Sequence, residues 1–332
     1  MAAEPAENTA VKARARDLGA DLVGIAAADV LDLNPPAPRW PQTPRRIWRE
    51  CRSVVVLAKR IPWGFFWTQE QSVRLYAPHT VVMRLEEIAL DLAYFLEGYS
   101  FRALPLPLQH TDPSLKKGAY GPLSLRHVAV EAGLSTLGLN LMLLTPQFGP
   151  RVYLAAVLTD MPLEPDGRLE GPVCLGPKCG RCLLACPADA VGHWNLDKGR
   201  CRTEAQRHGI SALFQHLDRI VDAETKEAAK ALVRSQETVN FWTALHTGAG
   251  AYGGCLRCWE VCPVGDDYEA HLKAVQARIP DVSGERRRQL QEMVAQEQNG
   301  DQMPALYFST RWVLGNGASP QPPPKSPARD DG

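Results

Sequence analysis

Eight of the nine cysteines in this chain fall between Cys174 and Cys262, and no other feature constrains it as much. In a reducing compartment a dense cysteine group binds metal more often than it forms disulfides. The first run reads Cys174-x4-Cys179-x2-Cys182-x3-Cys186-Pro187 and the second Cys255-x2-Cys258-x3-Cys262-Pro263, with Cys201 between them. Both end in the C-x2-C-x3-C-P of bacterial ferredoxins, where a tight loop wraps successive thiolates around one cubane cluster and the cysteine before proline crosses to the other. Proline there turns the chain away and removes a backbone donor, which frees the crossing sulfur to enter the neighbouring site. Eight thiolates then make two full ligand sets for two [4Fe-4S] clusters: Cys174, Cys179, Cys182 and Cys262 for one, and Cys186, Cys201, Cys255 and Cys258 for the other. A pair of tetrahedral zinc sites is the competing reading, since C-x2-C knuckles suit zinc as well. A zinc knuckle needs neither the third cysteine nor the proline, and here both recur. Cys51, alone outside the group, reads as a buried thiol rather than a nucleophile.

A chain of 332 residues with 45 % apolar content has ample material for a packed core ahead of the cysteines. Residues 11–18 suit a short helix, 20–26 a strand, and the β-branched run 53–58, bounded by charges, a buried strand. Val82, Leu85, Ile88, Ala89, Leu92, Phe95 and Leu96 recur at helical spacing, with Arg84, Glu86, Glu87 and Asp91 outside the stripe, so an amphipathic helix packs on a sheet. A second helix over 123–132 ends at Gly133, and 152–158 supplies another strand. Helices interleaved with strands fit an α/β or α+β fold. Three parts follow: an α/β core over 1–170, a cysteine-rich domain over 171–275 interrupted by a helical stretch near 203–239, and a C-terminal helical extension over 276–332. The last thirteen residues are proline-rich and too poor in apolar surface to fold.

Thirty-seven basic residues balance 37 acidic ones, so no global field draws the chain to nucleic acid or an anionic membrane. No apolar run approaches a membrane span, and the N-terminus has neither the apolar stretch of a signal peptide nor twin arginines. These observations give a cytoplasmic protein with no nucleic-acid and no membrane partner. The eight histidines form no pair at zinc-binding or catalytic spacing, no G-x-S-x-G occurs, and no glycine-rich phosphate loop precedes a helix. Hydrolase and nucleotide-binding readings therefore lack an anchor. The tryptophans, including Trp63, Trp67, Trp194 and Trp259, suit core packing and shielding of the clusters, or else an apolar substrate cavity.

Residues 130–160, VEAGLSTLGLNLMLLTPQFGPRVYLAAVLTD, followed by the two cysteine motifs, resemble the cobalamin-dependent iron-sulfur reductases that comprise reductive dehalogenases and epoxyqueuosine reductases. The resemblance extends over about residues 10–270 and includes GADLVGI at 19–25, Tyr76-x2-His79 and the Arg200-Cys201 pair. One spacing departs from it, because four residues rather than two separate Cys174 from Cys179. The resemblance implies a nitroreductase-like cobalamin-binding core followed by a two-cluster ferredoxin-like domain, with electrons passing through both clusters to cobalt. It implies that a base-off corrinoid meets the segment carrying Gly133, Leu134, Gly138, Asn140, Thr145, Gly149 and Arg151, where glycine lets backbone approach a flat macrocycle. The same glycines could equally cap a helix and make turns.

In the family frame set by Pro122, Arg126 and Gly133, the proton-donating aspartate of epoxyqueuosine reductases falls on Ala119, and a basic residue before Asn140 becomes Leu139. A methyl group gives no proton, so Tyr120 or Tyr76 is the expected donor, with Lys116, Lys117 or Arg102 supplying charge. The expected activity is reductive cleavage of a carbon-halogen or carbon-oxygen bond in a small organic substrate, fed by an external low-potential donor of ferredoxin or flavodoxin type, with epoxyqueuosine itself a poor substrate. An electron-transfer or corrinoid-reactivating protein without substrate chemistry is the alternative.

Overall fold

The computed structural model describes residues 7–68, 79–108, 112–116, 120–247, 255–265 and 283–299. Its strands are β1 (Leu22–Ala27), β2 (Ser53–Arg60), β3 (Ala103–Pro105), β4 (Thr136–Leu137), β5 (Leu143–Leu144), β6 (Val152–Thr159), β7 (Val191–Gly192) and β8 (Asn195–Leu196). The fold is mixed α and β. β2 stands inside the main sheet because its β-branched run is apolar on both faces, and Val54, Val55, Val56, Leu57 and Ala58 are all fully buried. It pairs with β1 on one side and β6 on the other, and β3 completes the order β1-β2-β6-β3. Every pairing is antiparallel, with Val56 opposite both Gly24 and Ala156. The interleaved pattern could not report strand direction; the register puts the sheet on the α+β side of the two classes expected.

Alternation along the strands gives each face its own cover. Val55, Leu57, Ile25 and Val157 pack with Leu85, Ile88 and Leu92 of the long helix α2 (His79–Glu97), and with Val11 and Ala15 of α1 (Asn8–Asp17). The stripe expected on α2 is the buried one. Val54, Val56, Ala156 and Leu158 point the other way, onto Val128, Ala129 and Val130 of α3 (Leu125–Glu131) and onto Leu183, Cys186, Val191 and Trp194 of the cysteine-rich part. One face of the sheet is thus continuous with the core beneath the cysteines. Helices Ile210–Val221, Lys226–Val233 and Gln236–Thr247 form the insert between Cys201 and the second motif. The proline-rich tail lies outside the described residues.

Gly149 shows how tightly the front part meets the second motif. Its φ is +55°, a left-handed conformation, and a Cβ there would stand 2.0 Å from the carbonyl oxygen of Val264. Gly149→Ala is therefore expected to destabilise the fold by about 2 kcal/mol or more. Anaerobic thermal denaturation checks this, with Gly167→Ala as the control, since a Cβ at Gly167 meets nothing within 4 Å.

Candidate functional site

The first cysteine motif lies around the short helix α4 (Arg181–Leu184) and the second around α5 (Arg257–Val261), and these two helices touch. Four thiols, those of Cys174, Cys179, Cys182 and Cys262, line one pocket together with Leu139, Asn140 and Val264. Cys262 has come across from the second motif to join three residues of the first. The electrostatic neighbours divide the same way: Cys174 and Cys179 act on Cys262, whereas Cys186, Cys255 and Cys201 act on Cys258. Cys255 and Cys186 likewise act on Cys201. Cys182 also feels Cys258, so the two groups adjoin.

Burial pushes the Cys258 and Cys262 thiols up to about 12, because a thiolate loses hydration inside the protein. Cluster binding works against that penalty by replacing the proton with metal and by surrounding sulfur with backbone donors. Such donors are present. The N–H groups of Leu139 and Gly176 each point at Cys174 Sγ at 3.4 Å, and that of Ala190 points at Cys186 Sγ at 3.3 Å. Asn140 hydrogen-bonds Cys258 through its side chain, which lowers that thiol. Among the described residues, no three of His, Cys, Asp and Glu converge closely enough to hold a single metal ion. The sulfurs surround a space instead, and four thiols with aimed N–H groups fit an iron-sulfur cluster.

The longer spacing after Cys174 is taken up by a tight turn, Gly176–Lys178. Gly176 has φ +66°, and a Cβ there would stand 3.2 Å from the Trp194 indole. Trp194 is buried, and its Nε1 donates to Glu297 at 2.8 Å from the C-terminal helix α6 (Gly284–Gln298). Leu290 of α6 covers Gly180, and Met293 is buried in the shared core. Trp259 packs edge-on against Tyr153, with ring centroids 5.4 Å apart. Trp194 thus packs in the core that Cys174, Cys182 and Cys186 share, whereas Trp259 packs with Ile61, Phe66 and Leu256. The Trp67 side chain lies outside what is described.

The seven residues expected to meet a corrinoid make the following contacts within the chain. A Cβ on Gly133 would strike the Gly167 carbonyl at 2.3 Å, one on Gly149 the Val264 carbonyl, and one on Gly138 the Leu144 side chain at 2.8 Å. The closeness that these glycines allow is to the chain's own atoms. Thr145 Oγ1 donates to Gly149 O and accepts from Phe148 N, closing a turn. Asn140 serves Met142 N and Cys258. Arg151 reaches into the second motif, and Leu134 packs against the core.

Tyr120 is described, and Tyr76, Lys117 and Ala119 lie outside the described residues. Lys198 Nζ donates to the Tyr120 hydroxyl at 3.1 Å and lies over its ring, while Trp40 meets the ring edge-on. Arg126 is electrostatically coupled to both Tyr120 and Cys201. Lys198 and Cys201 share the helix Lys198–Ala205, one turn apart, which places Tyr120 on the side of the second thiol group. Lys198 was missed in the sequence, where its only mark is a place three residues before Cys201. Arg102, a candidate cation, is instead paired with Asp160 at 2.7 Å and stacked on Trp48. Leu139, where a cation was expected to be missing, is 1 % exposed.

Cys51 is fully buried, and burial raises its thiol to about 12. At pH 8 only about one such thiol in 10,000 is ionised. Iodoacetamide is expected to leave Cys51 unmodified in the folded protein and to modify it after unfolding, as peptide mass mapping would show. Because the folded state holds the neutral thiol, this group's contribution to stability is complete below about pH 9 and is lost as pH rises toward 12.

No family model matches the chain. It is 30 % identical over 164 residues to the epoxyqueuosine reductase of Bacillus subtilis, covering 49 % of this chain and 34 % of that one. It is 26 % identical over 259 residues to a tetrachloroethene reductive dehalogenase of Desulfitobacterium hafniense, covering 58 % and 43 %. It spans less than half the length of either relative. Among solved structures, an epoxyqueuosine reductase with an epoxyqueuosine-modified tRNA stem loop matches 60 % of this chain and 57 % of that one, at 25 % identity and a TM-score of 0.45. The relatives named epoxyqueuosine reductase stand against the expectation of a small organic substrate and no nucleic acid, which is corrected accordingly. A net charge of zero is a sum over the whole chain and excludes no local phosphate-binding patch. No helix among the described residues is long and apolar enough to cross a membrane. The chain is thus similar in sequence to named epoxyqueuosine reductases and reductive dehalogenases, oxidoreductases that it matches over part of their length.

Proposed function

We propose that the chain is an oxidoreductase that reductively cleaves a carbon-halogen bond or the carbon-oxygen bond of an epoxide, with a nitroreductase-like core over 1–170 and a ferredoxin-like domain over 171–275. The observation that carries this reading is the pocket in which Cys262 joins Cys174, Cys179 and Cys182 against Leu139 and Asn140 of the front core. When bound, two [4Fe-4S] clusters supply low-potential one-electron chemistry. The relatives are named reductases, which favours this reading over a bare electron carrier.

The chain's own groups then have three tasks. Eight thiolates bind, and the Leu139, Gly176 and Ala190 amides stabilise charge on sulfur. Trp194, Leu290 and Met293 exclude water from the first thiol group. Tyr120 holds the proton for the carbon or oxygen left by cleavage: its oxygen accepts from Lys198, which leaves the phenolic hydrogen free to be given. Lys198 and Arg126 supply positive charge near the same phenol, in place of the cation that Leu139 cannot provide. For a carbon-halogen bond the balance is two electrons and one proton in, halide out, and a new carbon-hydrogen bond.

The test offers the anaerobically reconstituted, reduced chain an epoxyqueuosine-modified tRNA stem loop and a panel of halogenated ethenes and phenols. Halide release or conversion of the epoxide supports the proposal. A reduced protein that reacts with neither class contradicts it.

A further inference from the structure

Arg151 is the largest fully buried side chain of the described residues, at 0 % exposure, and it holds the backbone of Cys262, a member of the first thiol group, on which its charge acts. It sits at the entry to β6, yet its guanidinium is spent on the second motif. Nη1 donates to the carbonyls of Trp259 and Cys262, each at 2.9 Å, and Nη2 donates to the carbonyl of Val264. Gly149 and Gly265 close the space around it, since a Cβ at Gly265 would stand 2.9 Å from Nη2. A guanidinium keeps its proton at every accessible pH, so this is a permanent positive charge enclosed in protein. Such burial is costly unless negative charge lies close by. A thiolate-ligated cluster carries net negative charge and gains one more unit on reduction, so a fixed cation beside it favours the reduced form.

We infer that Arg151 is a positioning residue for the cluster held by Cys174, Cys179, Cys182 and Cys262, fixing the Cys262 loop and raising that cluster's reduction potential by its enclosed charge. The inference rests on the cluster reading proposed above. Other charges face this group as well: Glu297 acts on Cys174 from α6, and Arg181 lines the pocket. Both stand where water reaches them, at the pocket edge or on a half-buried helix, so solvent weakens their effect. Arg151 is shielded from water, and its field is correspondingly stronger. Arg126, half-buried and donating to the Leu141 carbonyl at 2.6 Å, acts on Cys201 of the second group instead.

The experiment is a redox titration of the reconstituted full chain, following each cluster by electron paramagnetic resonance, with Arg151→Lys, Arg151→Met, Arg151→Gln and Arg126→Gln. Arg151→Lys keeps the charge and loses the three-carbonyl fork, so its first cluster is expected to titrate close to wild type. Arg151→Met loses the charge, and at a fixed solution potential its first cluster is expected to show about a tenfold lower ratio of reduced to oxidised form, about 59 mV for one electron. The second cluster should not move. Where the methionine variant fails to assemble, Arg151→Gln, which retains an amide donor, carries the same expectation. Arg126→Gln should leave the first cluster unchanged. Equal shifts in the lysine and neutral variants, or no shift in either, overturn the electrostatic role. Wild-type protein without acid-labile sulfide would instead sink the cluster reading itself, so the two failures are separable.

Discussion

Cys201→Ala should bind about four iron atoms and four sulfides per chain, against about eight of each in the wild type, when both are reconstituted anaerobically. The halving follows from where Cys201 stands. Cys255 and Cys186 are its thiol neighbours, while Cys174, Cys179, Cys182 and Cys262 line a separate pocket. A cubane lacking one of four thiolates loses a bond and exposes an iron to water, whereas the other set keeps all its ligands. Metal analysis and the resonance spectrum of the reduced protein read the two sets separately. Retention of eight iron atoms would mean that another group supplies the ligand, and complete loss would mean that the sets do not assemble independently.

The second large effect concerns the proton. Tyr120→Phe removes only one oxygen from a residue whose ring is held by Trp40 and whose backbone carbonyl accepts from Asp112 N at 2.7 Å, so the local structure should survive. Turnover is expected to fall by about 100- to 10,000-fold, the usual cost of losing a general acid. Iron and sulfide contents should stay at wild-type values. Lys198→Met should lower turnover less, because it weakens the phenol's surroundings without removing the phenol. A Tyr120→Phe enzyme with undiminished turnover would show that the proton comes from elsewhere, and Tyr76→Phe would then be the variant to measure.

Much of the scaffold was legible because it depends on short-range pattern. The run 53–58 had to be a buried strand, and the spacing from Val82 to Leu96 had to be a helix with one apolar face; β2 and α2 are those elements. The direction of strand pairing was not legible, since antiparallel neighbours such as Val54 and Leu158 are far apart in sequence. The cysteine motifs announced the grouping of thiols, because a cysteine before proline leaves its own loop. What they could not announce were groups arriving from a distance: Lys198 on Tyr120, Glu297 on Trp194, and Arg151 on the Cys262 loop. Each is an ordinary charged residue in sequence. Gly133 and Gly149 stand against the backbone carbonyls of Gly167 and Val264, partners far along the chain that a glycine in the sequence does not name. Net charge is no guide to a nucleic-acid partner, being a property of the sum and not of any surface.

The central claim is that the eight thiols between Cys174 and Cys262 hold two iron-sulfur clusters. Its most direct test is elemental and acid-labile sulfide analysis of the wild-type chain, purified and reconstituted without oxygen. About eight iron atoms and eight sulfides per chain are expected. Two zinc ions per chain with no sulfide would contradict the account.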